Sequence, residues 1–191
     1  MGVFDTLLGR GKTTKPAKQD RLFALSTAYI TLASAQGIVT TGTAAIVFQA
    51  LATADFRAIV SEMEEVVKGT GDETGTTVTT SDDEFGYRWM VLNDPDTEDL
   101  VVGVNAVSDA LAVGGYADRV LCAVFAFKDS EQRPLYLIYN YKRGTWYPFI
   151  PEGADKQRST ERELQFKAVI GDELPIEPEL ERWFPLWGIP I

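Results

Sequence analysis

The spacing of apolar and polar residues predicts a chain built from strands and helices in alternation. Short apolar or alternating runs are typical of strands, and they recur between residues 29 and 149. Apolar residues three and four positions apart are typical of amphipathic helices. The predicted strands are 29–35, 44–50, 76–80, 87–92, 119–127, 134–141 and 146–149, and the predicted helices are 53–68, 97–113 and 160–170.

Capping and turn residues support these boundaries. Thr53 occupies the N-cap position of the first predicted helix, and Gly114 follows the end of the second. Gly144 lies at the turn before the last predicted strand, where a positive φ is expected. Strands in adjacent hairpins with helices between them predict an α+β fold. We expect one domain with a largely antiparallel sheet, a C-terminal meander and about three flanking helices.

Length and composition agree with a single globular domain. The chain has 191 residues, of which 45% are hydrophobic, and we assign 19–191 to the domain and 1–18 to a flexible basic N-terminal arm. We find no apolar run of the roughly 18 residues that a membrane-spanning helix needs, and no secretory signal pattern. A cytoplasmic protein is therefore expected. Cys122, the single cysteine, lies in an apolar run and is expected to be a small core residue.

Charge is distributed unevenly along the chain. The net charge is −10, but residues 1–21 carry five basic and two acidic side chains. The remaining residues carry 13 basic and 26 acidic groups, and an acidic body of this kind argues against nucleic-acid binding. We expect the acidic runs 72–73, 82–84 and 94–99 to be solvated loops.

The N-terminal arm combines an apolar stripe with basic residues. Val3, Phe4, Leu7 and Leu8 would share one face of a short helix. Three placements remain open: against its own domain, in a partner's groove, or on an anionic membrane surface. We expect deletion of 1–18 to leave the fold intact and to weaken binding to a partner or to anionic vesicles. The basic residues that follow the stripe are Arg10, Lys12, Lys15 and Lys18.

Residue types exclude many catalytic sites. The chain has no histidine and one cysteine, so His-centred triads, Cys–His dyads, zinc ribbons and iron–sulfur clusters are impossible. The run Asp94-x-Asp96-x-Glu98 lacks the glycine that a calcium loop requires at its sixth position. Glu161 and Glu163 are read as solvated acids on a helix surface. We expect no catalytic residue, no metal site and no cofactor.

Two aromatic segments are the strongest candidates for a specific site. Residues 141–149 and 183–187 contain three of the four tryptophans, and they indicate either a structural clamp or a recognition surface. Arg143 is expected to stack on an aromatic ring or to reach a carboxylate. Pro148 predicts a strand at the sheet edge, which the second segment would cover. The candidate site residues are Tyr141, Arg143, Gly144, Trp146, Tyr147, Trp183, Phe184 and Trp187.

Motifs along the whole chain resemble one known family. The segments 1–10, 22–25, 85–87, 141–149 and 182–188 occur in order, and together they resemble the PspA-associated protein family of the PspAB type. That resemblance implies an accessory or adaptor role in an envelope-stress, phage-shock-like system of bacteria or archaea. It also implies a protein partner, such as a PspA-like protein, and a setting in the cytoplasm at the inner face of the membrane.

A second hypothesis comes from a different functional class. A pocket near Tyr141, Arg143 and Tyr147 would suit a small-molecule-binding protein or an enzyme that uses carboxylates or oxygen ligands. A deep pocket with converging polar groups would favour this hypothesis. A shallow apolar patch or an apolar groove would favour the adaptor.

Overall fold

The computed structural model describes residues 18–83, 85–153 and 155–191. This part of the chain contains four α-helices and eight strands, and two short 3₁₀ turns follow α3 and precede the C-terminus. The helices are α1 (Lys18–Gln36), α2 (Ala54–Thr74), α3 (Thr97–Val113) and α4 (Thr160–Ile170). The strands are β1 (Val39–Gln49), β2 (Thr77–Asp82), β3 (Tyr87–Asn93), β4 (Val120–Lys128), β5 (Pro134–Asn140), β6 (Thr145–Phe149), β7 (Pro151–Glu152) and β8 (Gln157–Arg158).

Six strands form one antiparallel sheet in the order β2-β3-β1-β4-β5-β6. The hairpin β2–β3 and the meander β4–β5–β6 are joined through the central strand β1. The short pair β7–β8 forms a separate two-stranded sheet. The predicted α+β class, the single domain and the C-terminal meander are confirmed. The strand with Pro148 lies at the sheet edge, as predicted, because proline cannot donate to a neighbouring strand.

The two faces of the sheet are covered by different structures. Side chains alternate between faces along each strand, so Ile46 and Phe48 point to one face and Ala45 and Val47 to the other. The inner face packs against the helices and holds the larger core. The outer face packs against residues 171–191, which we call the C-terminal tail, through Ile176, Trp183, Leu186, Trp187, Ile189 and Ile191.

The predicted strand 29–35 is wrong, because these residues belong to helix α1. The run contains Tyr29, Ile30 and Thr31, which favour strands locally. The helical spacing becomes visible only when earlier residues are included. Leu22, Leu25, Ala28 and Leu32 are all buried on one side of α1, and packing of this face decides the conformation.

The other predicted elements are present, although β1 begins five residues before its predicted start and α1 makes four helices where about three were predicted. Helices α3 and α4 have the predicted bounds, and Thr53 accepts a hydrogen bond from the Phe56 backbone nitrogen at 3.4 Å. Helix α2 continues to Thr74, six residues beyond the prediction, so the acidic run 72–73 belongs to this helix and not to the predicted loop. Lys18, assigned to the N-terminal arm, is the first residue of α1, and the arm residues Phe4, Leu7, Leu8, Arg10 and Lys12 lie outside the described residues.

No helix within the described part of the chain combines the length and the apolar character needed to cross a membrane.

Candidate interaction site

A cavity of about 1590 Å³ lies at one end of the sheet. Its floor is the outer face of the sheet, where Val47, Trp89, Cys122 and Tyr147 project from four different strands. One wall is the end of the C-terminal tail, from Phe184 to Pro190. The cavity extends past the end of the sheet to reach α1 and α3, so inner and outer sides of the molecule both border it. The bordering residues on this inner side are Leu22, Asn105, Ser108, Asp109, Ala112 and Tyr141.

The β2–β3 turn forms a second border of the cavity. The Asp83 carboxylate accepts hydrogen bonds from the Phe85 and Tyr87 backbone nitrogens, each at 2.9 Å. Its other oxygen accepts a bond from the Trp89 indole nitrogen at 3.0 Å, which orients this ring in the floor. Burial by itself would raise the pKa of Asp83, but these hydrogen bonds hold the pKa below its usual value. Phe85 remains 75% exposed beside the opening.

Backbone hydrogen bonds attach the C-terminal tail to the edge strand β6. The Trp146 nitrogen donates to the Pro175 oxygen at 2.9 Å, and the Glu177 nitrogen donates to the Trp146 oxygen at 2.8 Å. Trp146 and Ile176 thereby form a parallel bridge. At this point the backbone groups on the outer edge of β6 are hydrogen-bonded to the C-terminal tail of the same chain. This limits pairing of β6 with strands of other proteins.

A buried carboxylate fixes the start of the C-terminal tail. Glu177 is 1% exposed and pairs with the Arg143 guanidinium, while the Thr145 hydroxyl donates to it at 3.0 Å. Burial opposes ionisation of Glu177, but the hydrogen bonds from Arg143, from the Glu179 backbone and from Thr145 outweigh it and lower its pKa. Arg143 therefore reaches a carboxylate, which is one of the two roles expected from the sequence.

A second buried ion pair lies between α4 and β8. Glu163 is 1% exposed, so its prediction as a solvated acid is wrong. It accepts a hydrogen bond from the Ile150 nitrogen at 2.9 Å and pairs with Arg158 at 2.8 Å. Burial raises the pKa of Glu163, partly offset by Arg158. Arg158 also donates to the Trp183 carbonyl at 2.5 Å, which joins α4, β8 and the tail.

The sequence-predicted site residues fall into two groups. Trp146 and Trp183 are buried structural residues: the Trp146 indole donates to the Arg21 carbonyl at 2.8 Å, and the Trp183 indole donates to the Glu177 carbonyl at 3.0 Å. Gly144 has φ +67° at the β5–β6 turn, as predicted. Arg143 is not among the residues that border the cavity. The predicted residues that do border it are Tyr141, Tyr147, Phe184 and Trp187.

Polar groups concentrate at the inner end and at the opening of the cavity. Tyr141 and Ser108 lie together at the inner end, and burial is the main cause of the raised pKa of Tyr141. Burial likewise raises the pKa of Cys122 to about 12, which disfavours the reactive thiolate. Cys122 is half-buried in the cavity floor and so is less enclosed than the predicted core residue. The charged side chains along the border are Asp82, Asp83, Asp109, Asp118, Lys142 and Lys156.

Several residues of the cavity were not predicted as site residues. Tyr87 and Trp89 lie in a strand whose alternation was visible in the sequence, and Phe85 lies in the turn before it. The C-terminal tail that covers this face of the sheet was not visible in the sequence. Asp94 is also buried, contrary to the prediction of a solvated loop, because it accepts hydrogen bonds from Thr76 at 2.5 Å and from the Asp96 nitrogen at 2.8 Å.

Within residues 18–83, 85–153 and 155–191, no group of three or more cysteine, aspartate or glutamate side chains is arranged to hold a metal ion.

Comparison with known proteins supports the family resemblance of the sequence motifs. A family model described as PspA associated protein B matches residues 1–191. Searches of curated proteins and of solved structures gave no match. Because the match covers the entire sequence given, this chain belongs to the PspA associated protein B family.

Proposed function

We propose that this protein is a non-enzymatic accessory protein of a bacterial or archaeal phage-shock-like system, and that it binds a protein partner at the cavity on the outer face. Membership of a family named for its association with PspA supports a PspA-like partner. The same proposal places the protein in the cytoplasm, with peripheral contact at the inner face of the membrane. The observation that carries the proposal is a large, mainly aromatic and aliphatic cavity with two exposed phenylalanines at its border.

The size of the cavity favours a polypeptide segment over a small molecule. Small-molecule sites typically enclose about 300–1,000 Å³. The volume here is about 1590 Å³, and the cavity runs from the outer sheet face to the inner helices. Phe85 and Phe184, which border it, are 75% and 59% exposed. Exposed aromatic side chains around an apolar groove are typical of protein interaction sites.

The charges at the border favour a partner segment with basic residues. Four carboxylates and two lysines lie there, and two of the carboxylates have arginine partners: Asp82 pairs with Arg88 at 2.6 Å and Asp118 with Arg119 at 3.6 Å. Complementary charge across an interface increases the association rate and the discrimination between partners. An apolar segment flanked by lysine or arginine therefore fits the cavity best.

Binding of a purified PspA-like protein from the same genome tests the proposal. The double variant Phe85→Ser and Phe184→Ser removes apolar contact area at the border without changing buried residues. We expect its dissociation constant to rise at least tenfold, measured by titration calorimetry. Ile30→Ser serves as the control, because Ile30 is 67% exposed on α1 and does not border the cavity. Equal affinity of the double variant and the native protein would disprove binding at this site.

A small-molecule site remains a second candidate, supported by the polar inner end of the cavity. Asn105, Ser108, Asp109 and Tyr141 converge there, and Tyr147 also borders the cavity. Arg143, the third residue of this hypothesis, is paired with Glu177 instead. Native mass spectrometry of protein purified from its own host tests this candidate. A stoichiometric small molecule that is lost from a Tyr141→Phe, Ser108→Ala variant would support it.

A further inference from the structure

We infer that the N-terminal segment 1–17 of the same chain occupies the cavity on the outer face and competes there with the partner. The docking itself is independent of the partner. The competition rests on the function proposed above.

The position of α1 directs the N-terminal segment to the cavity. The first turns of α1 are attached to the β5–β6 turn, because Arg21 donates to the Gly144 carbonyl at 3.1 Å and accepts from the Trp146 indole at 2.8 Å. Leu22, in the next position, borders the cavity. The segment therefore enters α1 beside the inner end of the cavity. Seventeen extended residues span at most roughly 56 Å, and a sheet of six strands is only about 24 Å wide, so the whole cavity is within reach.

The chemistry of the segment matches the chemistry of the cavity. Val3, Phe4, Leu7 and Leu8 supply apolar side chains for a floor made of Val47, Trp89, Cys122 and Tyr147 and for the exposed rings of Phe85 and Phe184. Burying such side chains is favourable by about 25 cal/mol per Å² of apolar surface.

Charge complementarity also favours this occupant. Residues 1–17 carry three basic and one acidic side chain, whereas the remaining residues carry 15 basic and 27 acidic side chains. The border of the cavity has four carboxylates and two lysines. The basic residues Arg10, Lys12 and Lys15 lie between the apolar stripe and α1, so they would lie towards the inner end, which Asp109 borders, when the stripe covers the floor.

The single cysteine gives a direct test in the full chain. Cys122 lies in the cavity floor, so an occupied cavity should protect it from N-ethylmaleimide. We expect the variant Phe4→Asn, Leu7→Asn, Leu8→Asn to be labelled at least tenfold faster than the native protein. The matched control Thr6→Asn, Thr13→Asn, Thr14→Asn changes the same number of positions in the same segment and should keep the native rate. Equal rates for all three proteins, or faster labelling of both variants, would overturn the inference.

If the variant with asparagine at 4, 7 and 8 fails to fold, a disulfide cross-link provides a second test. Leu7→Cys introduces one additional thiol, and mild oxidation should join it to Cys122 within one chain. Thr14→Cys is the control, because it lies nearer to α1 and outside the stripe. Only cross-linked dimers, or protection of Cys122 that disappears on fiftyfold dilution, would show that a second copy supplies the segment and would overturn the inference.

Binding of the PspA-like protein to the same variants separates the inference from the proposed function. The variant with asparagine at 4, 7 and 8 should bind the partner at least threefold more tightly than the native protein, because the competing segment is weakened. This is the opposite of the weaker partner binding that the sequence predicts for deletion of 1–18. Faster Cys122 labelling without any partner binding would leave the docking inference intact and refute the function. If Cys122 of the variant with asparagine at 4, 7 and 8 is labelled at the native rate and the partner still binds, the docking inference is refuted and the proposed function is left intact.

Discussion

At the scale of single residues, Trp146 links three parts of the molecule. Its side chain is completely buried, its ring contacts those of Phe125 and Tyr139, and its indole donates to the Arg21 carbonyl at 2.8 Å. Its backbone holds the C-terminal tail through Pro175 and Glu177. The Trp146 side chain therefore connects α1 to the sheet core, and the Trp146 backbone holds the C-terminal tail.

Trp146→Ala should lower the free energy of unfolding by roughly 3–5 kcal/mol, because it leaves a large cavity and removes the indole hydrogen bond to the Arg21 carbonyl. Denaturant titration of the purified proteins measures this change. Phe85→Ala is the control, since Phe85 is 75% exposed and its loss should cost no more than about 0.5 kcal/mol. Unchanged stability of the Trp146 variant would mean that this ring is not part of the core.

Glu177 makes stability depend on pH. Its pKa is lowered from 4.5 in the folded protein, so its contribution is fully present above that value and is lost as the pH falls through the folded pKa. The native protein should exceed Glu177→Gln in stability at pH 7, and the difference should shrink steadily below pH 4.5. Urea titrations at several pH values test this.

The comparison between the two proteins cancels other titrating groups, including Glu163, whose pKa is raised and whose contribution has the opposite sign. Glu181→Gln provides the control, because Glu181 is exposed in the same segment. Its difference from the native protein should stay nearly constant with pH. A difference for Glu177→Gln that does not change between pH 7 and pH 3 would contradict this assignment.

At the scale of elements, the β5–β6 turn positions both the edge strand and α1. Gly144 adopts φ +67° there, donates to the Asn140 carbonyl at 2.7 Å and accepts from Arg21 at 3.1 Å. Most side chains are strained at a positive φ. The turn therefore depends on glycine for its shape, and the shape aligns Trp146 with its partners.

Gly144→Ala should destabilise the protein by about 1–2 kcal/mol, because alanine is strained in the left-handed conformation. Gly69→Ala should instead stabilise it by about 0.5–1 kcal/mol, because Gly69 lies in helix α2 and a Cβ there meets nothing within 4 Å. Thermal unfolding of both variants tests whether the two substitutions change the stability in opposite directions. Equal effects of the two substitutions would show that the turn tolerates a side chain.

At the scale of the whole molecule, one sheet carries two unlike coverings. Helices with regular apolar faces seal the inner side, and the core there is continuous. The outer side is covered by an irregular C-terminal tail, attached by a few buried polar contacts around Glu177 and Arg158. An irregular segment fills space less completely than a layer of helices. The cavity lies where the end of the C-terminal tail passes over the sheet. The molecule thus combines a helix-covered inner layer with an outer layer that leaves a cavity at its end.

The sequence by itself determined most of the elements and the family. Helices 97–113 and 160–170 and the C-terminal meander were predictable because their signals are local: apolar spacing, caps and turn glycines. The exclusion of histidine-based and cysteine-cluster chemistry also follows from composition alone.

Tertiary structure decided the rest, because the deciding contacts join residues far apart in the chain. Helix α1 forms where local propensity favours a strand, since its buried face packs against the sheet. Glu163 was predicted as a solvated acid, and no local pattern predicts the burial of Glu177, because the partners Arg158 and Arg143 reach these carboxylates only in the folded chain. The cavity arises from six strands, two helices and the C-terminal tail together, and no local pattern encodes the space between them.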